Sequence, residues 1–232
     1  MVINLTKSSG QYLKWVKMEK VILFDLDGTV IDSTDAITGT FLYSFEQNNF
    51  DFRGGVNAIH DLIGYPLEYM FENLGVPKEN VTKFVDTYKQ RYKIISIEQT
   101  YLIDGAKDAI KKASKFARLG VVTTKTTKYT IPILEHLALD TYFETLIGRQ
   151  EVVNPKPHPE PILKALELMN IDKNKYEVYM IGDTKLDLIS ANSAGIHSTG
   201  VLTGYGKKSE LEKYTEHVFN NLTDAIKYLE NK

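Results

Sequence analysis

Four short apolar runs constrain this chain more than any other feature: "VILF" at 21 to 24, "LGVVTT" at 119 to 124, "VYMI" at 178 to 181 and "HSTGVL" at 197 to 202. They are rich in β-branched residues and bounded by polar turns, which is the pattern of strands buried on both faces. Helical spacings lie between them. Ala109, Ala113, Phe116 and Ala117 share one helical face, and "PEPILKALELM" follows a proline-rich loop with Pro161 in its first turn. Strand and helix in alternation predict a doubly wound, parallel α/β sheet.

The stretch from Thr34 to Ile97 has no convincing strand. Ile37, Phe41 and Phe45 form one stripe; Leu67, Phe71 and Leu74 form a second, closed by Gly75; Val81, Phe84, Val85 and Tyr88 form a third. So much helix directly after the first strand predicts an inserted all-helical cap over 34–97, with residues 18–33 and 98–232 making the α/β core. Residues 1–17, "MVINLTKSSGQYLKWVK", lack the continuous apolar core of a signal peptide and read as an N-terminal extension before "MEKVILF". No later run is long and apolar enough to span a membrane.

Lys and Arg total 28 against 30 for Asp and Glu, so no net field recruits nucleic acid or an anionic membrane, and an anionic ligand must be held locally. The chain has no cysteine, which excludes disulfides, thiolate zinc sites and a cysteine nucleophile and fits a cytoplasmic setting.

In a parallel α/β sheet the ligand crevice lies beyond the carboxyl ends of the strands. Asp25 and Asp27 follow "VILF", with Asp32 close behind; Thr123 and Thr124 end "GVVTT"; Lys156 sits in "NPKPHPEP"; Asp183 and Asp187 follow "VYMIG". Asp25 and Asp27, two apart in extended chain, leave on the same side, and Gly28 permits a sharp turn after them. One can attack while the other handles protons, although an Asp-Gly pair also serves simply to end a strand. Two carboxylates at about 4 Å repel by roughly 4 kcal/mol at an effective dielectric near 20, so a cation is expected beside them. Asp183 and Asp187, four apart, fall on one side of a first helical turn, and a set of oxygen ligands suits Mg²⁺; the alternative is that Asp183 or Thr184 caps the helix. Lys156, between Pro155 and Pro157, presents an ammonium on a stiff loop and suits a phosphate. The Thr123 hydroxyl could bond a phosphoryl oxygen. His158 shares the lysine's loop and is expected to have a surface role.

"DLDGTVIDS", "VVTTK", "KPHPEP" and "GDTKLD" resemble, in order, the four motifs of haloacid-dehalogenase-like phosphatases, and the resemblance runs from Met18 to the end of the chain. It implies a Rossmann-like core and a hydrolysis that passes through an aspartyl-phosphate. Asp25 would be the nucleophile and Asp27 the general acid and base. Thr123, Thr124 and Lys156 would bind the substrate phosphate. Asp25, the backbone carbonyl of Asp27 and Asp183 would hold Mg²⁺, and Asp187 would orient Lys156 or a metal-bound water. The form with Asp27 before Gly28 and Thr29 is similar to the phosphatases and not to the dehalogenases.

"LIGYPLEYMF" and "KPHPEPILKALELM" resemble the phosphoglycolate phosphatase group, so the expected partner is a small phosphorylated metabolite, 2-phosphoglycolate first. Thr124 stands where many members have Asn, and pyrophosphatases near this group share that "TTK" form. An inorganic pyrophosphatase and a phosphohexomutase of the β-phosphoglucomutase kind are therefore the enzymatic alternatives, and a phospho-acceptor signalling domain is the non-enzymatic one. Arg53 and Tyr65 are the candidates for specificity in the cap, with Lys125 at the rim of the core next in line.

Overall fold

The computed structural model describes residues 19–232; the expected extension at 1–17 lies outside them. Six strands form one parallel sheet: β1 (Glu19–Phe24), β4 (Ala117–Val122), β5 (Thr145–Ile147), β6 (Tyr176–Gly182), β7 (His197–Val201) and β8 (Val218–Phe219). Their order is β5-β4-β1-β6-β7-β8, with β1 central and registered against β4 on one side and β6 on the other. Two further two-residue strands, β2 (Ile31–Asp32) and β3 (Tyr101–Leu102), pair antiparallel as a separate ribbon.

Alternation along β1 explains the layers. Ile22 and Phe24 join a buried cluster with α5 (Ala106–Ala113), α6 (Thr127–His136) and α10 (Leu222–Asn231). Val21 and Leu23 face the other way, onto α7 (Glu160–Leu168) and α8 (Lys185–Ala194). Both faces of β1 are therefore covered, which is why it reads as a continuous apolar run. The short helix α9 (Lys208–Leu211) precedes β8.

Between β2 and β3 lie α1 (Thr34–Gln47), α2 (Gly55–His60), α3 (Leu67–Asn73) and α4 (Val81–Ile95). The three predicted stripes meet in a third cluster that includes Ile37, Phe41, Phe45, Phe71, Leu74, Phe84 and Tyr88. Its centre is aromatic: Phe41 lies 4.6 Å from Phe71 and 4.9 Å from Tyr88, centroid to centroid. Among the described residues no helix is long and apolar enough to cross a membrane.

Two expectations need correction. The helix predicted through Phe116 and Ala117 stops at Ala113, because Ala117 pairs with Lys20 as the first residue of β4. Both residues still pack against the same cluster, so the apolar signal was read with the wrong period. The second strand accordingly ends at Val122 instead of Thr124, which leaves Thr123 and Thr124 on the loop beyond it.

Candidate active site

Loops at the carboxyl ends of β1, β4 and β6, and the loop before α7, place the polar side chains together. Asp25 continues β1, its amide donating to the Ile181 carbonyl at 2.8 Å. Lys156 reaches it from the proline-rich loop: its Nζ is 2.8 Å from Asp25 Oδ1 and 2.5 Å from Asp187 Oδ1, and donates to the Val122 carbonyl at 3.1 Å. All three side chains are buried.

Asp183, fully buried, follows β6 and accepts from the Thr29 hydroxyl at 2.9 Å and from the Tyr205 amide at 2.9 Å. Its setting depends on glycine. A Cβ on Gly28, whose φ is +83°, would lie 2.5 Å from Asp183 Oδ2, and one on Gly204 would lie 2.0 Å from the same oxygen. The backbone thus closes on the carboxylate to a distance that no side chain permits.

Asp187 divides its two oxygens. Oδ1 meets Lys156, while Oδ2 accepts from the Thr184 amide at 3.1 Å and the Thr184 hydroxyl at 2.7 Å. Thr184, and not Asp183, is the residue at the N-cap of α8. Asp183 is thereby left for the site.

Carboxylate oxygens of Asp25, Asp183 and Asp187 all lie within 4.8 Å of one another. Burial pushes the Asp25 carboxyl up to about 7, with Lys156 pulling down and Asp187 and Asp27 adding to the rise. Burial also raises Asp183 well above the ordinary carboxylate range, helped by Asp25 and Asp187. Burial works to lower the Lys156 ammonium, but Asp187 and Asp25 carry it above its usual value. Three buried carboxyl groups share one ammonium, so ionising all three calls for further positive charge, and the donors are all oxygen. The set fits a divalent metal ion.

Asp27, partly exposed, sits apart from that trio. Its Oδ1 accepts from the Ser33 hydroxyl and lies 3.1 Å from the Lys125 ammonium. Lys125 also donates to the Tyr92 hydroxyl at 2.6 Å and lies 4.6 Å over the Tyr92 ring. Beyond Asp27, between sheet and helices, is a cavity of about 60 Å³. Lys125 and Thr124 line it from the core, and Ile37, Tyr65, Met70 and Tyr88 are among the side chains that line it from the helical segment.

The remaining predicted residues separate clearly. Thr123 is buried just past the end of β4, its hydroxyl accepting from the Lys125 amide at 3.1 Å. The Thr124 hydroxyl is turned toward the helical segment, donating to the Gly64 carbonyl at 2.9 Å. Tyr65 lines the cavity and stacks on Tyr69 at 4.6 Å. Arg53 does not line it: its side chain is 86% exposed and is held by Asp51 at 2.5 Å. Asp32 is exposed and accepts from the Thr34 amide at the start of α1, so the carboxylate cluster excludes it. His158 is exposed, as expected.

Sequence reasoning passed over Thr29, Ser33, Tyr205 and Tyr92. The first two lie inside the first motif. "TGYG" at 203 to 206, with two glycines just past a strand, carried a readable signal of close backbone approach. Tyr92 carried none, since it occupies an ordinary core position on α4.

Residues 22–201 match the haloacid dehalogenase-like hydrolase family. The chain belongs to that family of hydrolases, and its parallel sheet with flanking helices is the family's fold. It is 30% identical over 232 residues to a phosphoglycolate phosphatase of Colwellia psychrerythraea, covering 90% of this chain and 97% of that one. It is 31% identical over 190 residues to the pyrophosphatase PpaX of Halalkalibacterium halodurans, covering 82% and 85%. A haloacid dehalogenase-like family hydrolase from Streptococcus pneumoniae superposes with a TM-score of 0.81 at 26% identity, covering 91% of this chain and 98% of that one.

Proposed function

We propose that this enzyme is a Mg²⁺-dependent phosphatase that hydrolyses a small phosphomonoester, 2-phosphoglycolate, through an aspartyl-phosphate on Asp25. The observation that carries the reading is the convergence of Asp25, Lys156, Asp183 and Asp187 at the strand ends, with Asp27 two residues after Asp25 and lining a cavity. The Asp25 carboxylate attacks phosphorus as the bond to the leaving oxygen breaks, and Asp27 delivers a proton to that oxygen. Asp27 then takes a proton from water, which attacks the phosphorus and releases phosphate and free Asp25. In this reading Lys156 and the Thr123 hydroxyl bond phosphoryl oxygens. Asp25 and Asp183 would hold Mg²⁺ together with the Asp27 carbonyl, and Asp187 keeps Lys156 oriented. The ion's chemistry is to neutralise phosphoryl charge as it is transferred.

Residues 34–97 act in this reading as a cap over the core formed by 18–33 and 98–232. The cavity walls are mostly aliphatic and tyrosine, with Lys125 the single ammonium among them, which supports a leaving group that is small and has a carbon skeleton to pack. A cysteine-free composition supports a cytoplasmic setting.

The test is turnover of 2-phosphoglycolate, pyrophosphate, sugar phosphates and nucleotides with Mg²⁺ and with EDTA. The expected result is the highest kcat/KM for 2-phosphoglycolate, lost in EDTA and restored by Mg²⁺. Preference for pyrophosphate, the activity named in the Halalkalibacterium relative, would replace the substrate. Isomerisation of a sugar phosphate that depends on a bisphosphate would make the enzyme a mutase, and a single stoichiometric burst would make it a phospho-acceptor.

A further inference from the structure

The loop after β4 grips the helical segment at two separate points. On one side the Thr124 hydroxyl donates to the carbonyl of Gly64, in the turn before α3, at 2.9 Å. On the other, Lys125 donates to the Tyr92 hydroxyl on α4 at 2.6 Å. The second contact has a further partner, because the same ammonium lies 3.1 Å from Asp27 Oδ1. The Lys125 side chain is only 7% exposed and Tyr92 only 2%, so these are not solvated surface contacts. Tyr92 is itself fixed, stacked on Tyr88 at 5.5 Å and edge-on to Tyr129 at 5.7 Å.

We infer that Lys125 is a positioning residue that ties α4, through Tyr92, to Asp27, so that Asp27 is aligned when the cap is closed and released when it opens. Three features support this over simple packing. Lys125 belongs to the core, Tyr92 to the insert and Asp27 to the reacting centre, so one side chain spans all three. A charge-assisted hydrogen bond in a buried place is directional and strong, and a tyrosine hydroxyl supplies it only at the correct approach of α4. Asp27 is otherwise held on that oxygen by Ser33 alone among the described residues, and Ser33 stands at the first turn of α1, on the path into the cap. Closure would thus assemble the acid as well as exclude water.

The inference rests on the phosphatase reading for its kinetic part and not for its structural part. The proteins to compare are wild type, Tyr92→Phe, Lys125→Met, the double variant and Lys125→Arg, with Asp25→Asn as a control on the reaction. Amide hydrogen exchange of residues 81–95 should accelerate in Tyr92→Phe and in Lys125→Met without a comparable change in β1 or β6. With 2-phosphoglycolate and p-nitrophenyl phosphate, kcat should fall about tenfold or more in Lys125→Met and severalfold in Tyr92→Phe. The double variant should be no worse than Lys125→Met, because the two residues act through one link. Lys125→Arg, which keeps the charge, should recover part of kcat. Multiplied defects in the double variant, or unchanged exchange in α4, would overturn the inference. Residual turnover in Asp25→Asn would instead remove the covalent scheme through Asp25 on which the kinetic part rests, and exchange in α4 would still decide whether the tie exists.

Discussion

The carboxyl edge of the sheet and the interior of the helical insert are both buried and are built from opposite materials. Around Asp25, Asp183 and Asp187 the contacts are polar, made by Lys156, Thr29 and Thr184, and the carboxyl groups are fixed by hydrogen bonds and by glycines that admit no Cβ. Inside the insert, Phe41, Phe45, Phe71, Phe84 and Tyr88 pack ring against ring, and order comes from shape. The contrast teaches how labour is divided. The core edge is costly to bury and useful only for its charges, whereas the insert's aromatic interior supplies an apolar wall at little electrostatic cost and, away from Tyr92, can change without disturbing them.

The largest test of that division is Asp25→Asn. The amide is nearly isosteric, so circular dichroism should be unchanged while turnover falls to background; a few per cent of wild-type rate, free of contaminant, would break the covalent scheme. Asp27→Asn should cost about 10² to 10⁴-fold in kcat. Its first-step defect in rapid-quench experiments should be smaller with p-nitrophenyl phosphate, whose leaving group needs little protonation, than with an alkyl phosphate. Phe71→Ala tests the other region. It should destabilise by about 3 to 5 kcal/mol in denaturant melts, as large aromatic truncations in a packed core do. Mg²⁺ affinity of the folded fraction should change little, and a parallel loss of metal binding would show that the two regions are not energetically separate. The smallest effects belong to the cavity rim: Tyr65→Ala should raise KM for 2-phosphoglycolate severalfold, whereas Arg53→Ala, exposed and paired with Asp51, should leave KM within about twofold.

The sequence revealed the core edge better than the insert for a physical reason. Strand-end chemistry is local: "DLDGT" and "GDTKLD" carry their geometry within a few residues, and the parallel topology brings them together. The stripes on α1, α3 and α4 were equally local and fell where expected. What escaped was set by partners distant in sequence. β5 and β8 are three and two residues long, too short to show a period, and exist because β4 and β7 have edges to pair. The start of β4 at Ala117 is decided by its register with Lys20. Arg53 suggested an anion site by charge alone, but Asp51 two residues away holds it on the surface. Tyr92 and Lys125 meet across 33 positions, a contact that no local pattern reports.

The ribbon of β2 and β3 has a consequence for the history of such chains. Ile31 faces Leu102 and Asp32 faces Tyr101, so the polypeptide departs from the sheet domain and returns to it through adjacent strands about 5 Å apart. A detour with its two ends already side by side adds little closure entropy however long it grows, since that cost rises only with the logarithm of length. The junction behaves like a socket: an insert of another size, or a plain turn, could be spliced between Asp32 and Tyr101 while the sheet below kept its register. Exchange of inserts at one such joint is a cheap route by which a fixed sheet acquires new neighbours at its carboxyl edge.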